Sequence, residues 1–215
     1  MYKSTVHNIL STLKAMEYLE QDEETGKYRL GIQIFNLSKA LGDTYSITKI
    51  AGPYMQELSN YTGERCYLAV PYRQEVLYLD AMYPADSIEL MRSILGERAQ
   101  MHCTGLGKAM LANMGEREIS DYLEHHKLEA FTENSIIDKK QFREELLRTK
   151  QRGYALDDME HEFGIKCIAM PVFDRTKNVY AAISISGMAN HFTDANIAEW
   201  AMLLKKYIRK IESRL

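Results

Sequence analysis

The residues of this chain that first suggest chemistry are two hydroxyls spaced two apart in an apolar segment. Ser184 and Ser186 alternate with Ile183 and Ile185, and in a strand that spacing puts both serines on one face. Each hydroxyl can donate to a carboxylate and accept from a ligand hydroxyl. A second candidate is Thr104-Gly105-Leu106-Gly107, which opens an apolar stretch. Thr104 can cap a helix there, the first amides and the positive helix end favour an anion, and the glycines let it come close. Asp157 and Cys167 fall on or beside neighbouring predicted strands and would close the same pocket, with Asp157 accepting from a ligand hydroxyl or a water. A small, oxygen-rich carboxylate is the ligand class that fits.

Each feature also has a plainer reading. The serines can bond within a sheet, Thr104-Gly105 can be an ordinary helix start, and Asp157 and Asp158 can be surface charges. Cys103 and Cys167 can be buried small hydrophobes.

Other chemistry is weaker. Cys103 beside His102, or Cys167 with His161 and Asp157, could mimic a thiol nucleophile and its base. No nucleophile motif surrounds them, and Gly-Leu-Gly-Lys-Ala-Met lacks the third glycine of a dinucleotide loop. The same residues as a metal site lack any paired spacing such as CxxC. No catalytic residue, metal or cofactor is therefore expected, and a thiol-dependent enzyme is the least favoured alternative.

The elements that must position these groups follow from periodicity. Val6, Ile9, Leu10, Leu13 and Met16 form one apolar helical stripe, and Ser4, His7, Asn8 and Ser11 share another face. Lys3 and Lys14 are the only charged residues before Glu17. Tyr18-Leu19 and residues 28–30 flank Thr25-Gly26, a hairpin pattern. Helices are predicted over about 32–41 and 48–63, then strands over 66–71, 76–82 and 87–93. Helices follow over 105–113, 116–124 and 139–152, then strands over 154–156, 167–173 and 179–186. The last element is an amphipathic helix carrying Ile197, Trp200, Leu204, Ile208 and Ile211. Helices mixed with hairpin-length gaps between strands predict an α+β domain on a mostly antiparallel sheet.

Bulk properties bound the rest. A length of 215 residues holds one large domain, or one of about 150 residues with a small appendage. The net charge of −3 gives no global pull toward nucleic acid, so any DNA contact must be local. No apolar run nears the ~18–20 residues a bilayer span needs, so no membrane partner is expected. Three widely spaced cysteines, Cys66, Cys103 and Cys167, read as reduced thiols in a cytoplasmic protein.

Four blocks in order resemble the IclR family of bacterial transcription regulators. Residues 3–7 (KSTVH), with Tyr18-Leu19-Glu20 and residues 25–31 (TGKYRLG), resemble its recognition helix and wing. Residues 102–109 (HCTGLGKA) look like its effector-loop motif. Residues 152–158 (RGYALDD) look like its acidic segment, leading to Gly164 and Cys167. Residues 181–187 (AAISISG) resemble its penultimate strand.

The resemblance implies a GAF-like effector domain over 64–215, linker helices over 31–63 and a partial winged helix-turn-helix over 1–30. The two helices that precede the recognition helix in the family are not represented. It implies double-stranded DNA as partner of the complete protein, with Ser4, Thr5, His7 and Asn8 at base edges or phosphates and Lys3, Lys27 and Arg29 on phosphates. Ile88, Met91 and Ile165 match apolar effector-pocket positions, beside Gly105, Leu106, Gly107, Asp157, Cys167, Ser184 and Ser186. A homodimer or homotetramer is implied. The alternative is a stand-alone small-molecule-binding domain that has lost DNA binding.

Overall fold

The computed structural model describes residues 2–44, 47–86 and 94–215, in two compact units, one up to Ser46 and one from Ile47 onward. The candidate strand over 87–93, with Ile88 and Met91, lies outside the described residues.

The first unit opens with α1 (Lys3–Ala15), followed by the hairpin β1 (Leu19–Gln21) and β2 (Tyr28–Leu30) and by α2 (Gln33–Thr44). The hairpin turn is held by Asp22, whose carboxylate accepts from Thr25 N–H at 2.7 Å, Thr25 Oγ1 at 2.8 Å and Glu24 N–H at 3.1 Å. These donors stabilise the charged form and hold its pKa below the usual carboxylate value. The apolar stripe of α1 stays largely open, with Val6, Ile9 and Met16 exposed.

The second unit contains α3 (Ile47–Thr62), β3 (Arg65–Tyr72), β4 (Glu75–Met82), β5 (Arg98–Gln100), α4 (Gly105–Leu111), α5 (Glu116–His125), α6 (Lys139–Arg152), β6 (Ala155–Asp158), β7 (Ile165–Phe173), β8 (Val179–Met188) and α7 (Asp194–Glu212). Six strands form one sheet in the order β5-β4-β3-β8-β7-β6, and every described pairing is antiparallel. The α+β architecture expected from the sequence is what folds. Strand β5 carries no readable alternation in its Arg-Ala-Gln and was not expected; it exists because Glu75, Val76 and Leu77 of β4 offer it a ladder.

The two faces of the sheet are covered differently, and side-chain size explains how. On one face the large residues Leu68, Ile168, Ile183 and Ile185 pack against α3 and α7 through Met55, Leu58, Trp200, Leu204 and Ile208. On the other, small residues Ala69, Ala155, Cys167, Ala169 and Ala182 leave room for α4 to sit close to the sheet, with α5 and α6 behind it. Strand alternation sends Ile183 and Ile185 to the first face and Ser184 to the second. The whole of α4 is buried.

Candidate functional site

Strand register builds the site row by row on the face beneath α4. Arg65 of β3 lies opposite Ser186 of β8, Ser186 opposite Cys167 of β7, and Cys167 opposite Asp157 of β6. The next row runs Tyr67, Ser184, Ala169, Ala155. Over these rows sits the start of α4, and between them is a cavity of about 180 Å³. It is lined by Gly105, Leu106, Asp157, Ile165, Cys167, Ser184 and Ser186, seven of the residues expected from sequence.

Gly107, the remaining described pocket candidate, faces the other way. A Cβ there would lie 2.2 Å from Met101 Cα and 2.3 Å from Met101 O. Its N–H is taken by the Thr104 hydroxyl at 3.1 Å, the helix N-cap. The expected cradle of three ligand-facing amides is therefore corrected: Gly107 is a packing glycine, satisfied within the cap. Gly105 does serve close approach, since its missing Cβ would stand 2.8 Å from Cys167 Sγ. Its amide faces that sulfur and works against the rise that burial causes in the Cys167 pKa.

Ser184 is fully buried, and its Oγ makes no hydrogen bond of regular geometry. Cys167 Sγ is its polar neighbour and a weak acceptor at best. An orphan hydroxyl on a cavity wall is a group awaiting a partner, because an unmet buried polar group costs about 1–3 kcal/mol.

Behind the cavity is a buried charge cluster. Lys108 of α4, completely inaccessible, donates to Glu160 Oε1 and to the Leu156 carbonyl. Glu160 N–H in turn donates to Asp157 Oδ1 at 2.8 Å. Burial pushes the Asp157 carboxyl up to about 7, with the Glu160 N–H bond and the Lys108 charge opposing the rise. Burial also raises Glu160.

The sign of the Asp157 effect is set by which state holds the proton. Between its ordinary value of 3.8 and about 7, folded Asp157 is protonated while the unfolded chain has lost the proton. Stability therefore falls as pH rises through that window, by up to about 1.4 kcal/mol per pH unit. Asp157→Asn should remove this slope and keep the Glu160 N–H acceptor. Urea denaturation of both proteins from pH 4.5 to 8 checks it, and parallel curves would contradict the assignment.

The thiols are held neutral. Burial, aided by the charges of Asp157 and Glu160, pushes Cys103 up to about 12, and burial pushes Cys167 higher still. His161 Nδ1 stands 3.5 Å from Cys103 Sγ, but burial lowers its pKa, as it does that of His102. Neither cysteine has the thiolate a nucleophile needs at neutral pH.

The structure adds wall residues that sequence reasoning missed, Arg65, Tyr67, Tyr78 and Arg98, and brings to the wall His161, which the sequence offered only as a base or a metal ligand. Tyr67 and Tyr78 meet edge to face at 5.8 Å. Arg98 is tied to Glu75 at 2.9 Å, and Arg65 hydrogen-bonds Tyr67. Arg65 and Tyr67 share the i, i+2 spacing of the two serines, a signal that becomes legible only once β3 is known to pair with β8.

In the first unit, Lys3, Ser4, Thr5, His7 and Asn8 are all exposed on α1. Lys27 and Arg29 are exposed on the hairpin. Arg29 is occupied by Glu20, with bonds of 2.8 and 2.7 Å from Nε and a terminal nitrogen. Both partners are solvent-exposed, so this pair is worth little and can be exchanged.

Residues 39–213 match the family model described as bacterial transcriptional regulator IclR C-terminal. The chain is 31% identical over 204 residues to the HTH-type transcriptional regulator XynR of Escherichia coli K12, covering 95% of this chain and 81% of that protein. The crystal structure of Thermotoga maritima IclR superposes with a TM-score of 0.84 at 29% identity, over 100% of this chain and 86% of that one. An IclR homologue from Microbacterium hydrocarbonoxydans, crystallised with 4-hydroxybenzoate, shares the fold with a TM-score of 0.86 at 22% identity, over 99% and 85%. With the family model and XynR both spanning most of its length, this chain belongs to the IclR family of bacterial transcriptional regulators.

Proposed function

We propose that the cavity under α4 is an effector site for a small organic acid, and that its occupancy controls operator binding by α1 and the β1–β2 hairpin. The orphaned Ser184 hydroxyl on the cavity wall carries this reading. In it, Ser184 and Ser186 bond the effector's oxygens, and Asp157 takes a ligand hydroxyl. Arg65 and the first turn of α4 at Gly105 and Leu106 face its negative charge, while Tyr67, Tyr78 and Ile165 form the apolar wall. Cys167 lines the floor as a neutral thiol. The 4-hydroxybenzoate complex of the Microbacterium homologue supports a ligand of this size and type.

Ser4, Thr5, His7 and Asn8 are assigned to the major groove, with Lys3 and Lys27 on phosphates. Arg29 joins them if DNA displaces Glu20. The domains are assigned as 1–30 for the winged-helix part, 31–63 for the linker helices and 64–215 for the effector domain. The protein acts in the cytoplasm as a homodimer or homotetramer, without catalysis. The switch requires an effector that binds one arrangement of the oligomer more tightly than the other.

A thermal-shift screen of hydroxybenzoates, sugar acids and short keto acids tests this, since a ligand at 100 times its Kd adds about 2.7 kcal/mol. For the acid that stabilises the protein, Ser184→Ala combined with Ser186→Ala should weaken calorimetric affinity about 10- to 30-fold, two hydrogen bonds at about 1 kcal/mol each. Unchanged affinity would remove both serines from the site. No stabilising acid at all would remove the effector reading.

A further inference from the structure

A second cavity, of about 350 Å³, lies at the other end of α4 from the effector pocket. Its walls come from several separate parts of the fold. They include the end of α4 at Leu111, the segment before α4 at Met101, the two-residue turn Arg73-Gln74 between β3 and β4, the turn before β8 at Lys177 and Asn178, and α5 at Asp121 and Tyr122.

Gln74 is the central group. Its Nε2 donates to Asp121 Oδ2, which leaves Oε1 buried with no donor. The cavity is about ten times the ~30 Å³ share of one liquid water, so it exceeds what a single bridging water needs.

The turn itself is unusual for its composition. Arg73 and Gln74 have φ of 51° and 64°, the backbone in which two-residue hairpins favour Asn-Gly. Two long side chains are kept where a cheaper pair would close the same turn, a pattern associated with functional positions. Lys177, at φ 66°, presents a second cation from the neighbouring hairpin. Among the described residues neither Arg73 nor Lys177 forms an ion pair; Arg73 rests over the Tyr72 ring at 5.3 Å.

The cleft thus offers a free acceptor in Gln74 Oε1, the Asp121 carboxylate shared between Gln74 Nε2 and an exposed contact to His125 at 3.3 Å, two cations without an ion pair among the described residues, and an apolar lining of Met101, Leu111 and Val179. A single small molecule that answers all three features carries an ammonium, a carboxylate and an apolar group. We propose that this cleft is a second ligand site, for a free α-amino acid with an apolar side chain. The ammonium donates to Gln74 Oε1 and replaces the exposed, weakly held His125 at Asp121 Oδ1, the carboxylate faces Arg73 and Lys177, and the side chain covers Met101, Leu111 and Val179.

The probes are L-leucine, L-methionine and L-valine, each titrated into the full chain by calorimetry. Isovalerate lacks the ammonium and isoamylamine lacks the carboxylate. At least one amino acid should bind saturably, with both controls at least tenfold weaker. Arg73→Asn removes a cation while suiting the positive φ, so the variant should melt no lower than the parent and yet bind at least tenfold more weakly. Gln74→Gly, equally suited to the turn, should do the same by removing the acceptor. Ser184→Ala, in the effector pocket, should leave amino-acid affinity unchanged. The proposal is overturned if none of the three probes binds, or if isovalerate binds as well, the mark of a simple anion site. It is overturned equally if both turn variants keep full affinity, or if Ser184→Ala abolishes binding.

Discussion

Lys108→Met is expected to cost the second unit about 3–5 kcal/mol at pH 8, because it strands the Glu160 carboxylate in the interior. Glu160 is nearly inaccessible, and its Oε2 already has no hydrogen-bond partner. Once the ammonium is gone, only the Asp158 N–H, at 3.4 Å, still faces Oε1. The carboxylate must then either remain charged in low dielectric or take up a proton. Because burial already raises Glu160, the variant's deficit should shrink as pH falls.

The double variant Lys108→Met with Glu160→Gln should recover most of the loss, since the charge and its counter-charge leave together. Urea titrations of the parent, the single variants and the double variant at pH 5.5 and 8 give the cycle. A single-variant cost below about 1 kcal/mol at pH 8 would mean that water reaches the pair. The consequence reaches the pocket, because Lys108 ties both β6, through the Leu156 carbonyl, and the chain after it, through Glu160, to α4; Asp157 lies in β6 and His161 in the chain after it.

The second large effect is Gly107→Ala. The added methyl would stand 2.2 Å from a backbone carbon and 2.3 Å from a backbone oxygen of Met101. Backbone cannot rotate away as a side-chain tip can, so α4 must move off the segment it packs on. Overpacking of this kind typically costs 1–3 kcal/mol and occasionally more; rigid atoms on both sides put this case at about 3 kcal/mol. Gly52→Ala is the control. It lies in α3, where the added carbon meets only Met82 Cε at 3.4 Å, and higher helix propensity makes it neutral or stabilising by up to ~1 kcal/mol. Equal melting temperatures for the two variants would contradict the packing geometry. A correct α4 position is also what gives the pocket its shape, so Gly107→Ala should weaken effector binding although Gly107 touches no ligand.

Much of the molecule was legible in its residues. The amphipathic stripes marked α1 and α7, and α6 spans the expected 139–152 and ends at Gly153. Alternation identified β8 and put Ser184 opposite the isoleucines. The four motifs, in their order along the chain, carry the family resemblance. Local chemistry settles these features, since period, capping and turn residues act within a few positions of one another.

Four features depended on tertiary structure. Arg65 and Tyr67 reach the pocket because β3 pairs with β8 in one register, a contact between residues more than a hundred positions apart. β5 is a strand only because β4 offers it an edge. Gly107 looks like a ligand-binding glycine in sequence, and only the path of Met101 shows that it is a packing one. Lys108, one charge in the apolar run GLGKAML, could be noticed early, but its buried partner 52 residues later could not be named. Periodicity reports which face of an element is apolar. Which distant residues share that face is fixed by strand register and packing, and there the pocket acquires its charge.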